Sequence, residues 1–196
     1  MRSNYHFIIE SSHEFNECFT TVGGLVLFGD KRHLQNRLAN QIAKVVALPL
    51  LDIEDEIQVG YEVFIDYSTF LRFISDSGVI ENNYTIDKDR GLYKIPASMI
   101  YLYRRNASDE WRGYRDNLVV TSSLTSEGGT SNLVNIVWEK PKKEYFLEVL
   151  NDELIDCDVQ KGDKVLCNTG QLLPIFMNGK EVFHLRNRDV FAVYEK

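Results

Sequence analysis

The sequence predicts an all-β chain organised as two tandem copies of one small unit. Three observations carry this. Aromatic residues make up 12% of the chain and Val and Ile are frequent, a composition that favours strands. Apolar runs are short and separated by glycine, asparagine and proline turn signals, the spacing of small barrels or sandwiches. A segment also repeats: Ile57-Gln58-Val59-Gly60-Tyr61-Glu62-Val63-Phe64-Ile65-Asp66 aligns without a gap on Val159-Gln160-Lys161-Gly162-Asp163-Lys164-Val165-Leu166-Cys167-Asn168.

Each repeat reads as a polar turn around glycine followed by a short buried strand. Upstream, an apolar strand lies at residues 42–48 in the first copy and 145–150 in the second. Downstream, Ile95-Pro96-Ala97-Ser98-Met99-Ile100-Tyr101-Leu102-Tyr103 matches Leu185-Arg186-Asn187-Arg188-Asp189-Val190-Phe191-Ala192-Val193, an apolar residue, a turn-like step and a second strand. Pro96 suits that step, since it cannot donate within a ladder. Each copy also opens with a strand followed by Gly-Gly: residues 5–10 with Gly23-Gly24, and residues 117–121 with Gly128-Gly129. The units are therefore residues 1–104 and 115–196, with the polar stretch 105–114 as linker. Residues 68–92 form an added loop or long hairpin in the first unit, and the second is more compact. Asn178-Gly179 between apolar runs marks a hairpin. Residues 30–47 admit a helical stripe through Leu34, Leu38, Ile42 and Val45, but the repeat places a strand over 42–48, leaving room only for a short helix before it.

Bulk properties narrow the function. The formal charge is −7, which argues against nucleic acid as the main partner. The cluster Arg104, Arg105, Arg112 and Arg115 with Trp111 and Tyr114 could stack on bases, but it lies in the linker of an acidic chain. No signal-peptide pattern opens the sequence and no apolar run approaches a membrane span, so a soluble, cytoplasmic protein is expected. The three cysteines, Cys18, Cys157 and Cys167, have neither disulfide-framework nor zinc spacing and read as small buried or half-buried hydrophobes. The histidines, His6, His13, His33 and His184, show no metal-ligand pattern, and no phosphate loop or nucleophile elbow occurs. No enzyme, metal or cofactor is expected.

The order of these motifs resembles the co-chaperonin family, the small lids of chaperonin rings. In that family a strand leads to a flexible Gly-Gly loop bearing an aliphatic triplet, then a strand, a Val-x-x-Gly-Asp turn and a closing Asp-Val-Phe-Ala-Val-like strand. Here the triplet is Leu25-Val26-Leu27 after Gly23-Gly24, the turn is Val159-Gln160-Lys161-Gly162-Asp163, and the closing strand is Asp189-Val190-Phe191-Ala192-Val193. The resemblance implies two tandem GroES-like small β-barrels that associate into a homo-oligomeric ring. It implies a non-enzymatic co-chaperonin that caps a GroEL-type chaperonin ring and assists its ATP-dependent folding cycle. Docking would use Gly23, Gly24, Leu25, Val26 and Leu27, with Leu133, Val134 and Ile136 as a second loop departing from the family pattern. The alternative is a ring-forming structural or adaptor protein, for example of a virus particle, that uses the same units without touching a chaperonin.

Overall fold

The structure is a computed structural model that describes residues 2–16, 18–20, 23–29, 35–51, 56–71, 73–74, 76, 78, 80–125 and 142–194. The first copy contains β1 (His6–Glu10), β2 (Cys18–Thr20), β3 (Val26–Phe28), the single helical turn α1 (Gln35–Leu38), β4 (Ile42–Ala47) and β5 (Glu62–Ile65). It continues with β6 (Phe73–Ile74), β7 (Ile80–Glu81), β8 (Thr85–Asp87), β9 (Leu92–Pro96) and β10 (Ile100–Arg104). A two-residue strand, β11 (Arg112–Gly113), leads to the second copy: β12 (Asn117–Thr125), β13 (Lys142–Val149), α2 (Asp152–Asp156), β14 (Lys164–Cys167), β15 (Leu173–Met177), β16 (Lys180–Arg186) and β17 (Val190–Tyr194).

Strand order shows the duplication directly. The first sheet runs β11-β10-β5-β4-β1-β9-β8 and the second β17-β14-β13-β12-β16-β15. Apart from β11 the two orders correspond strand for strand, and all ladders are antiparallel. Irregularities recur at equivalent places, between Ile8 and Ile9 in one copy and Val119 and Val120 in the other.

The repeated glycine turn has a local cause. Gly60 and Gly162 sit at φ +94° and +88°, a region open to glycine and strained for other residues. Each then donates its N–H to the neighbouring strand, Gly60 to Val45 O and Gly162 to Leu147 O, both at 2.8 Å. In the second copy the Asp163 carboxylate also accepts the Gln160 N–H at 2.9 Å, closing the Val-x-x-Gly-Asp turn. After the following strand, Asp66 and Asn168 each cap a short 3-10 turn through a side-chain oxygen. The hairpin at Asn178-Gly179 forms as expected, with φ +50° and +74°.

The cores repeat as well. Phe7, Ile9, Val45, Val63, Ile65 and Ile95 fill the first, and Leu118, Val120, Leu147, Val165, Cys167 and Leu185 stand in their places in the second. These residues come from four strands of each sheet, β1, β4, β5 and β9 in the first and β12, β13, β14 and β16 in the second. The closed barrels expected from the resemblance are not seen in the ladders: among the described residues none joins β8 to β10, or β15 to β17. The observed architecture is two open antiparallel sheets. The physical reason lies in the edges, since β8 and β15 pair only with β9 and β16. Of the cysteines, Cys167 is buried as expected whereas Cys157 is exposed.

Two segments differ in detail from expectation. Within residues 68–92, the 3-10 turn Tyr67–Phe70 and β8 have counterparts in the second copy, and a two-stranded hairpin, β6 with β7, lies between them. The stretch 105–114 is not solvated along its length. Its Arg112–Gly113 strand extends the first sheet beside β10, and Tyr114 is buried against Phe7 and Tyr103.

The copies meet over a shared apolar layer. Phe64, Tyr101 and Leu102 of the first pack with Val119, Val149, Ile175, Met177 and Val182 of the second. Gly113 donates to Leu150 O at 2.8 Å, and its Cα lies so close to the second copy that a Cβ would fall 1.8 Å from Asn117 O and 3.0 Å from Asn151 Cβ. Gly113→Ala should therefore cost ~1–3 kcal/mol or more through forced backbone displacement, measurable as a lower urea midpoint. Unchanged stability would contradict the tight approach.

Candidate functional site

The excursion between β1 and β4 carries the Gly-Gly-aliphatic motif. Its base is stitched shut: Phe15 and Ala39 form an antiparallel bridge, Asn16 N donates to Leu38 O at 2.6 Å and Asn40 N to Glu14 O at 2.9 Å. Phe15 packs edge-on against Phe70 of the first core, at 6.2 Å between centroids. Gly29 lies directly on Leu38, whose Cδ1 is 2.5 Å from where a Cβ would sit. The arm is thus anchored at its root by core contacts.

Beyond the root, β2 and β3 pair as a hairpin with Cys18 opposite Phe28, Phe19 opposite Leu27 and Thr20 opposite Val26. The sequence suggests a conformationally free loop here, and within it the described residues pair as a short two-stranded ladder. Three residues on each side form the ladder, and Gly23 and Gly24 lie in the connection between the strands. Gly24 takes φ +80° with nothing within 4 Å of its missing side chain. Leu25, Val26 and Leu27 are 62%, 50% and 37% exposed, a gradient falling from tip to root. Since alternate residues of a strand face opposite sides, the triplet offers apolar surface on both faces of the hairpin. The arrangement can insert aliphatic side chains into a groove on another molecule.

The second set, Leu133, Val134 and Ile136, lies outside the described residues, as do Gly128 and Gly129. The connection that contains them runs from β12 to β13, as the first arm runs from β1 to β4. Its flanking strands pair all the way out to Thr125 opposite Lys142, a longer ladder than the β1–β4 pairing.

Of the arginine cluster, Arg104, Arg112 and Arg115 are engaged with neighbouring side chains. Arg104 pairs with Glu62 at 2.6 Å and covers the Trp111 ring, Arg112 pairs with Asp152 at 3.0 Å, and Arg115 lies 5.1 Å from the Tyr114 ring centre. With Tyr114 buried, this cluster offers no open stacking platform at that ring. An open cleft of ≈ 810 Å³ beside the root of the arm has both signs of charge, including Glu10, Lys44, Glu62 and Arg90. His13 on its rim is held by Ser12 and Asn16. Among the described residues no group of three or more His, Cys, Asp or Glu could hold a metal ion, and no helix is long and apolar enough to cross a membrane.

Sequence reasoning missed a buried polar chain at the junction. Tyr101 donates its hydroxyl to Asp66, and its ring stacks on His184 of the second copy with centroids 4.1 Å apart. His184 bonds through Nε2 to Asn117 Oδ1 at 2.7 Å. Asn117 Nδ2 donates to Tyr114 O, so Oδ1 faces the imidazole and Nε2 carries the proton. Burial raises the Tyr101 hydroxyl pKa well above its ordinary value, and the bond to Asp66 adds to this. Burial likewise pushes His184 down to about 4; Arg186 adds to the effect, while Asp116, Asp66 and Asp189 oppose it. The one clue in the sequence is His184 standing between the apolar residues Phe183 and Leu185.

No known protein family, curated protein or solved structure matches the chain.

A neutral buried His184 makes stability depend on pH. Its folded pKa of about 4 lies below the ordinary 6.5 of an unfolded chain. Its contribution is therefore complete above pH 6.5 and is lost as pH falls towards 4, a loss of roughly 3 kcal/mol. Urea unfolding at several pH values should show a shallower acid loss in His184→Gln than in the wild type. Equal slopes would contradict the buried neutral imidazole.

Proposed function

We propose that this protein is a non-enzymatic co-chaperonin that caps a GroEL-type chaperonin ring. The observation that carries the reading is the aliphatic triplet Leu25-Val26-Leu27, presented in the open on a glycine-tipped hairpin whose root is fixed in the core. Soluble proteins seldom leave three consecutive large aliphatic residues in water without a partner surface for them. The duplicated topology supports the same reading, since the motif order that resembles the family is also the order of the repeated strands.

The physics suits a reversible lid. Burying each aliphatic side chain contributes at most ~1.5–3 kcal/mol. Fixing a free backbone costs about 1–2 kcal/mol per residue, and the pre-formed hairpin avoids part of that cost. One arm then binds modestly, and several arms on one assembly bind firmly through effective concentration. Such a lid holds while the chaperonin favours it and leaves when the groove changes. In this reading the timing comes from the chaperonin's ATP cycle. The second reading, a structural or adaptor protein assembled from the same units, does not need the open triplet.

Binding to a bacterial-type chaperonin in the presence of ADP separates the two. The wild type should bind, and Leu25→Asp with Val26→Asp should weaken binding at least tenfold without altering the circular dichroism spectrum. Binding that survives the double substitution would move the docking site off this arm. Absence of wild-type binding would favour the structural reading.

A further inference from the structure

The root of the arm is fastened to the second unit as well as to the first. Helical turn α1 packs on strand β2 of the arm, on the 3-10 turn Tyr67–Phe70 of the first core and on strand β15 of the second unit. Two consecutive residues divide these tasks. Leu38 is fully buried. Its carbonyl accepts the Asn16 N–H at 2.6 Å from the outgoing leg of the arm, and its side chain fills the space that a Cβ on Gly29, in the returning leg, would need. Arg37, one residue earlier, reaches away from the first core to the second unit. Its guanidinium lies 4.8 Å from the centre of the Phe176 ring, with Glu181 Oε1 at 3.9 Å.

The seat for Arg37 is a single cross-strand pair. Phe176 and Glu181 stand opposite each other in the β15–β16 ladder. Successive side chains of a strand face opposite sides. Ile175 and Met177 pack in the layer that joins the copies, so Phe176 faces away from that layer and carries Arg37. Strand β15, an outer strand of its sheet, is thus held by the first unit on both faces. A guanidinium suits the place, because it is planar enough to stack on a ring while its N–H groups address a carboxylate.

We infer that the second unit aims the arm, and that Arg37 is the positioning residue, fixing the direction of the aliphatic tip by seating α1 on Phe176 and Glu181. The inference deepens the docking reading and rests on it for its consequence in binding. A hairpin held only at its base can swing as a body without breaking its own ladder. Phe15 and Leu38 hold this base against the first core. The grip on β15 adds a second fixed point outside that core, and two fixed points set a direction where one permits a swing. A tip already held in its bound orientation has less freedom to lose on docking. Where several arms act together, the gain of each multiplies. Cation–aromatic and ion pairs at exposed positions add little to stability, so the contact serves orientation more than folding.

Two readouts test this, and the first needs no chaperonin. Spin labels carried on non-natural residues at Leu25 and Lys180, both exposed, report the distance from the arm tip to the second unit by pulsed electron resonance. The otherwise unaltered protein should give one narrow distribution. Arg37→Ser and Phe176→Ser should each broaden it at least twofold. The two together should broaden it no further, because both remove the same contact. Arg37→Lys, which keeps the cation but not the planar group, should fall between. The urea midpoint of Arg37→Ser should barely move, since the Arg37 and Glu181 side chains are 43% and 49% exposed. A distribution that stays narrow in both single variants would overturn the inference. The second readout is binding of the unlabelled proteins to a bacterial-type chaperonin with ADP. Arg37→Ser should bind at least threefold more weakly although Leu25, Val26 and Leu27 are intact. A loosened arm with unchanged chaperonin binding would overturn the positioning role. A wild type that ignores the chaperonin would sink the docking reading alone, since the distance distributions decide the aiming of the arm without it.

Discussion

Everything in this molecule is arranged around the contact between its two copies. A single unit is a small open sheet with a modest core, and small units bury too little apolar surface to be robust alone. Packing Phe64, Tyr101 and Leu102 onto Val119, Val149 and Ile175 merges the two sheets into one larger body. The approach is close enough to demand glycine at 113. It also encloses polar groups, and these are satisfied in sequence: Asp66 by Tyr101, and His184 by Asn117, which in turn donates to the Tyr114 carbonyl. Buried polar groups without partners would cost about 1–3 kcal/mol each, so the chain of bonds is a condition of the contact and specifies its register.

The contact between the units bears on the arm as well. The hairpin Cys18–Thr20 with Val26–Phe28 is rooted through Phe15 and Leu38 in the first core. Its direction is therefore tied to the sheet. Arg37, at the end of α1, reaches the second copy as well, lying over Phe176 and near Glu181. The arm is thus braced from both units, which fits a docking element that must present its aliphatic tip at a defined place.

Much of the fold could be read from residue order. Gly60 and Gly162 announce themselves because a left-handed turn before a strand requires glycine, and the alternation of Val63 and Ile65, like that of Val165 and Cys167, marks the core face. The aliphatic triplet was legible because three apolar residues follow two glycines. Other features left no local trace. Strands of two or three residues, such as β2 and β11, lack the length for a periodic signal, so neither the short β2–β3 ladder nor the pairing of Arg112–Gly113 shows in the sequence. Whether a sheet closes depends on the pairing of edge strands far apart in sequence, which periodicity does not encode. The partnership of Asn117 with His184 spans 67 residues, and nothing in the sequence around either residue points to the other.

The central claim is that the Gly-Gly-aliphatic arm docks on a chaperonin. Hydrogen exchange followed by mass spectrometry across residues 18–28, with and without a bacterial-type chaperonin and ADP, addresses it most directly. The account predicts added protection of that hairpin on binding, with the glycine-turn segments around Gly60 and Gly162 unchanged. Exchange across residues 18–28 that stays the same while the chaperonin is demonstrably bound, or protection confined to another surface, would contradict it.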